Sequence, residues 1–262
     1  MSDQPVQWKK QDGISVITMN WPANKNAFDL NQARYLVEAL EDCYDPEVRA
    51  VILTASGTTF CPGGNLEEAR EYHPEDHSIF FRELSKPLAM IINLIRRLPK
   101  PVIASVNGVA AGAGMSFALA CDLRIASEKA RFKQAYTSIG QNPDGAWTLL
   151  TPLLIGLAKA SEMILLDELM DAQEALRLGL VNQVVTAEEL ETATMELARR
   201  LAKGPTCAYA SSKELLNRAM LPMIETQMEL ERQGLMKCAH TEDYHESLVA
   251  FKEKRKPVFK GR

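Results

Sequence analysis

Two side-chain-poor turns offer the chemistry most readily available to this chain. In Asn107-Gly108-Val109-Ala110-Ala111-Gly112-Ala113-Gly114, Gly112 and Gly114 lack a Cβ and Ala113 has only a methyl group, so a substrate carbonyl could approach the main chain closely. Met115 to Leu119 are expected to form the first turns of a helix. The N-terminal N–H groups of such a helix have no intrahelical acceptor, and its positive dipole end favours negative charge. Phe60-Cys61-Pro62-Gly63-Gly64-Asn65-Leu66-Glu67 repeats the pattern. One N–H from each turn would make an oxyanion hole, where loss of a single donor costs on the order of 3 kcal/mol of barrier. Small residues also suit tight helix–sheet packing, and from the segment alone both readings stand. The spacing is not a dinucleotide fingerprint, because the first βα context and the downstream acidic residue are missing.

Other side chains with chemical potential have local explanations. Asp144, between Pro143 and Gly145 and ahead of an apolar run, suits a helix N-cap. Glu67 and Glu68 could supply an acid or form a solvated helix face. His73 and His77 are four apart but lie in a polar loop, where they are expected to be exposed, and no metal-ligand cluster is seen. Trp147, Tyr136 and Phe80 could line an apolar pocket or pack in the core. Residues 251–262 carry six basic residues and one acidic residue, which fits a solvated tail or a phosphate contact.

The elements that must position these residues read as α/β. Val6–Lys10 and Ile14–Met19 alternate on either side of Asp12-Gly13, a hairpin signal. Asp29 should cap a helix running to Cys43. Short apolar runs at 50–54, 101–106, 122–126 and 181–185 read as strands separated by helices, one of them at about 78–97, which implies parallel pairing. Both glycine turns would then lie at carboxyl ends of parallel strands, where such sheets bind ligands. After residue 186 the pattern is helical only, at 187–203, 206–218, 222–238 and 242–254. Apolar stripes on helices with no sheet to cover predict an oligomer. The expected division is therefore 1–186 for the α/β core and 187–262 for a helical region.

With 262 residues, 46% of them hydrophobic, the chain can bury a sizeable core. Its net charge of −4 argues against nucleic acid or an anionic membrane as partner. Met1-Ser2-Asp3-Gln4-Pro5 lacks a charged-then-apolar leader pattern, and no apolar run approaches ~20 residues, so a cytoplasmic location is expected. Cys43, Cys61, Cys121, Cys207 and Cys238 are scattered, odd in number and without a CxxC pair, so neither a disulfide framework nor a zinc site is indicated.

The two turns, with Cys121-Asp122, Ala172-Gln173-Glu174-Ala175-Leu176-Arg177-Leu178-Gly179-Leu180-Val181 and Phe251-Lys252-Glu253-Lys254-Arg255-Lys256, closely resemble the enoyl-CoA hydratase/isomerase family, the crotonases, across essentially the whole chain. That resemblance implies a spiral of ββα units followed by a helical trimerisation region, assembled as a trimer or a dimer of trimers. It also implies an acyl-CoA substrate whose thioester oxygen is held by the N–H groups of Gly64 and Ala113, with no cofactor beyond the coenzyme A of the substrate. Lys25, Asn26 and Ala27 match a loop that lies along the CoA, and Lys260 matches a basic residue near its phosphates. The expected substrate-binding set is Lys25, Ala27, Gly63, Gly112, Ser116, Tyr136, Trp147 and Lys260.

The chain departs from the family at its acids. Family hydratases carry two glutamates that position and activate water, and their places are held here by Ser116 and Tyr136. Neither a serine hydroxyl nor a phenol is a good general base near neutral pH without a partner. Asp144 matches an aspartate found in family members that shift a double bond, and also the nucleophile of chlorobenzoyl-CoA dehalogenases. Those dehalogenases pair it with Trp and His where this chain has Tyr136 and Asn93, which disfavours dehalogenation. The leading expectation is an enoyl-CoA isomerase that uses Asp144 with Gly64 and Ala113. A hydratase with atypical acid/base residues and a non-catalytic acyl-CoA-binding member are the alternatives.

Overall fold

Asp12 and Gly13 both have positive φ, 53° and 75°, the backbone that matches the twist of a two-residue hairpin. They join β1 (Val6–Gln11) to β2 (Ile14–Met19) with Gln11 opposite Ile14, as expected from the Asp-Gly pair. A computed structural model describes residues 4–262; the leader reading drawn from Met1, Ser2 and Asp3 lies outside the described residues. Asp29 then caps α1 (Leu30–Asp42), its carboxylate accepting the Gln32 N–H at 2.7 Å.

Three times a long strand is followed by a short one and then by helix. The first pass is β3 (Ala50–Ala55), β4 (Thr59–Cys61), α2 (Leu66–Tyr72) and α3 (Ser78–Arg97). Next come β5 (Val102–Val106), β6 (Val109–Ala111) and α4 (Ala113–Ala120). The third has β7 (Leu123–Ser127), β8 (Arg131–Lys133), a 3-10 turn at Thr137–Ile139, α5 (Trp147–Ile155) and α6 (Leu157–Leu166). After β9 (Met170–Asp171), α7 (Ala172–Arg177) and β10 (Gln183–Val185), the chain closes with α8 (Leu190–Ala202), α9 (Thr206–Met220), α10 (Ile224–Cys238) and α11 (Glu242–Glu253).

The long strands form one sheet in the order β1-β2-β3-β5-β7-β10, parallel from β2 onward. The short strands form a second, β4-β6-β8-β9, which sequence patterning did not predict. Strands of two or three residues are too short to show alternation, and their pairing depends on partners far away in the chain.

The helical region needs one correction. A helix after residue 186 was expected to have no sheet to cover, yet Ala198 and Ala202 of α8 bury Ile14, Ala50, Ile52 and Ile103 on the sheet. Exposed apolar residues remain on the later helices, among them Leu215 and Leu216 of α9, Leu230 of α10 and Val249 of α11, and lie also on α6, at Leu165 and Leu166. Among the described residues no helix is long and apolar enough to cross a membrane.

Candidate active site

The two glycine turns meet. β6 ends at Ala111, and Gly112 turns the chain into α4 with φ +52° and ψ −127°, a backbone that disfavours any residue bearing a Cβ. A Cβ placed there would lie 3.2 Å from the Gly63 Cα. Ala113 is the first residue of α4, so its N–H has no intrahelical acceptor. Across the junction, Gly64 pairs with Phe28 in a parallel bridge. The Phe28 N–H donates to the Gly63 carbonyl at 2.7 Å and the Asn65 N–H to the Phe28 carbonyl at 2.8 Å. In a parallel bridge those bonds are made by the neighbours of the central residue, so the N–H of Gly64 itself is turned to the opposite edge. Gly114 serves packing: a Cβ there would sit 2.1 Å from the Cys61 carbonyl oxygen, so α4 lies directly on β4. Anion-ready N–H groups and tight packing thus fall to adjacent residues of one segment.

Asn26 sets the neighbouring loop. Its buried amide oxygen accepts the Trp21 N–H at 2.7 Å, and its Nδ2 donates to the carbonyls of Ser56 and Thr59 at 2.9 and 2.8 Å. These bonds tie Lys25, which is exposed, and Ala27, half-buried, to the β3–β4 connection beside the first glycine turn.

Asp144 closes the other side. It does not cap α5; Ala146 occupies the N-cap in a left-handed backbone with no side-chain cap. The Asp144 Oδ1 accepts the Tyr136 hydroxyl at 2.6 Å, while its main-chain carbonyl accepts Ser116 Oγ at 2.8 Å. Oδ2 accepts no hydrogen bond from the described residues. The residue is 8% exposed. Burial pushes its carboxyl up to about 6, and the Tyr136 hydrogen bond holds it from rising further. The Tyr136 phenol is raised well above its ordinary value, first by burial and then by Asp144, so it stays protonated as a donor.

Contacts run unbroken from Asp144 to the glycines. A Cβ on Gly112 would lie 3.7 Å from Tyr136 Cζ, and one on Gly145 would lie 2.8 Å from Ser116 Cβ. The same construction places Gly64 3.8 Å from Leu84 Cδ2 and Gly145 3.4 Å from Leu88 Cδ2. Leu84 and Leu88, one helical turn apart on α3, therefore span the gap between the first turn and the Asp144 loop. Their i,i+4 spacing within 78–97 was the signal available in the sequence.

Other expected site residues lie elsewhere or act differently. Ser116 is fully buried, and its hydroxyl is committed to protein carbonyls, so it positions Asp144 instead of presenting a group to substrate. Trp147 is fully buried, its indole N–H donating to Met115 Sδ at 3.3 Å, which seats it in the core behind α4. Phe80 packs on Tyr72 and Phe81. Lys260 is exposed and its Nζ lies 3.7 Å from Glu242. Glu67 is exposed, whereas Glu68 is raised by burial and by Asp29 and accepts the Leu30 N–H, so it serves the start of α1. His77 is buried, against the expectation of exposure. Its Nδ1 lies 3.2 Å from the Ala69 carbonyl and its ring packs on Tyr244 and His245, a contact with α11 that no local pattern reveals. Cys43, Cys61 and Cys121 are buried, Cys238 is intermediate and Cys207 is exposed.

One residue with a direct hold on the site was missed altogether. Glu231 of α10 is buried and accepts the N–H groups of Ala146 and Thr148.

Comparison with known proteins gives a consistent result. A sequence model of the family described as "Enoyl-CoA hydratase/isomerase" matches residues 9–262. The chain is 36% identical to a probable enoyl-CoA hydratase of Rhodobacter capsulatus, covering 100% of both chains. It is 35% identical to the 1,2-epoxyphenylacetyl-CoA isomerase of Escherichia coli, over 96% of this chain and 97% of that one. A solved structure of an enoyl-CoA hydratase from Mycobacterium avium subsp. paratuberculosis superposes with a TM-score of 0.88 at 33% identity, covering 98% of each chain.

Proposed function

Because this chain belongs to the enoyl-CoA hydratase/isomerase family and is an enzyme that processes acyl-CoA, we propose that it moves a double bond from the 3 to the 2 position of an enoyl-CoA. Asp144 takes a proton from carbon 2. The electrons pass into the thioester carbonyl, whose oxygen is held as a dienolate by the N–H groups of Gly64 and Ala113. The same carboxyl then returns the proton to carbon 4. Proton removal and return balance, so the reaction as written needs no cofactor beyond the coenzyme A of the substrate. Lys25 and Ala27 lie along the CoA in this scheme, with Lys260 near its phosphates. The partner is a small molecule, not nucleic acid or membrane, and the enzyme works in the cytoplasm as a trimer or dimer of trimers.

The single observation that carries this reading is the Asp144 carboxyl. It is buried, tied at one oxygen to Tyr136, free at the other of hydrogen bonds from the described residues, and pushed up to about 6. Such a group is ionised at neutral pH yet a better proton acceptor than an ordinary carboxylate. Two-glutamate hydration lacks its acids, since those positions hold Ser116 and Tyr136.

Purified protein incubated with 3-hexenoyl-CoA should give the 2-enoyl product, with little water addition to 2-hexenoyl-CoA. Hydration of the second without migration in the first would establish a hydratase and overturn the proposal.

A further inference from the structure

The Asp144 turn is gripped from outside by one face of α10. Both carboxylate oxygens of Glu231 act there: Oε2 accepts the Ala146 N–H at 2.7 Å, and Oε1 accepts the Thr148 N–H at 2.9 Å together with the Thr148 hydroxyl. One turn earlier, Gln227 Nε2 donates to Thr148 Oγ1 at 2.8 Å. The main-chain carbonyl of Glu231 accepts Asn142 Nδ2 at 3.0 Å. One turn later, a side chain on Gly234 would meet Asn142 Oδ1 at 2.6 Å, so the helix backbone seats directly on that residue. Residues 227, 231 and 234 share a helical face, and the residues they hold, Asn142, Ala146 and Thr148, bracket Asp144.

A local Ser or Asp at the α5 N-cap would satisfy the Thr148 N–H without burying a remote charge, though not the N–H of residue 146 itself. Here the N-cap is Ala146, and the acceptor is a carboxyl 4% exposed, 85 residues away in the chain, at the positive end of the α5 dipole. The titratable groups that face it are Asp144 and Tyr136. Thr148 supplies only neutral donors.

We infer that Glu231 is a positioning residue for Asp144: it fixes the 142–148 turn so that Oδ1 stays on Tyr136 while Oδ2 faces substrate. This rests on Asp144 being the base. A glutamine at 231 offers one acceptor oxygen in place of two, so the turn loses one of the two oxygens that anchor it.

The test compares wild type with Glu231→Gln, Glu231→Asp and Asp144→Asn on 3-hexenoyl-CoA across pH. E231Q should lose about tenfold in kcat with KM within about twofold, the pattern of an interaction felt in the transition state. E231D, which keeps two acceptor oxygens, should recover part of that loss, and both variants should keep the wild-type acid limb, because Glu231, at about 7, is already protonated where Asp144 titrates. Wild-type kcat in E231Q would overturn the inference. So would a rate loss that merely tracks the loss of folded protein, read by circular dichroism, or one that falls on KM instead of kcat. Undiminished activity in D144N would overturn the base assignment itself, so the two failures are distinguishable.

Discussion

Asp144 works through two oxygens with different surroundings. Oδ1 is held by a phenol that stays protonated, so the carboxylate is oriented without losing its second oxygen. Asp144→Asn should lower kcat for isomerisation by at least about 10²-fold, the usual share of a general base, with KM little changed in steady-state assays. Tyr136→Phe acts on the Asp144 carboxyl directly. Its hydroxyl lowers the proton affinity of Asp144, so its removal should shift the acid limb of kcat above its wild-type position, with kcat reduced by about tenfold. The residue types were visible in the sequence, and so was the absence of the two expected glutamates at 116 and 136. The contact between Tyr136 and Asp144 was not, because an eight-residue separation through a 3-10 turn and a positive-φ glycine obeys no helical or strand period.

At the scale of elements, the site depends on how closely α4 approaches β4. Gly114→Ala would place a methyl 2.1 Å from a backbone oxygen that cannot rotate away, and should destabilise the fold by at least about 3 kcal/mol in urea denaturation. The loop at 21–27 is a separate matter. Asn26→Ala removes three hydrogen bonds to main-chain groups, so it should raise KM for acyl-CoA several-fold while leaving kcat nearer wild type. The helix at 78–97 and the capped helix at 29 were legible because long apolar periodicity and a capping aspartate are local signals. The second sheet and the grip of α10 were not, since each is made of contacts between short or distant segments.

For the whole molecule, two buried carboxyls set a pH dependence. Folding raises Asp144 to about 6 and Glu231 to about 7, so between about pH 4 and 7 the folded chain binds more protons than the unfolded one. The stability they contribute is present at low pH and lost as pH rises through 6 to 7. Relative to an Asp144→Asn/Glu231→Gln double variant, the wild type should lose on the order of a few kcal/mol between pH 4.5 and 8, checked by denaturation at each pH.

Exposed Leu165 and Leu166 on α6, 79% and 61% accessible, carry the assembly expectation. Light scattering should give a multiple of three 29.1 kDa chains, and glutamate at both positions should release monomers.

By itself the sequence determined the α/β class, the hairpin, the two glycine turns and the family to which they belong. Those depend on backbone freedom, capping and periodicity within a few residues. Only the tertiary structure decided that Asp144 is a held carboxyl instead of a helix cap, that Ser116 serves its main chain, and that Glu231 reaches the same turn. Hydrogen bonds between groups 28 and 85 residues apart exist only once the chain has closed on itself.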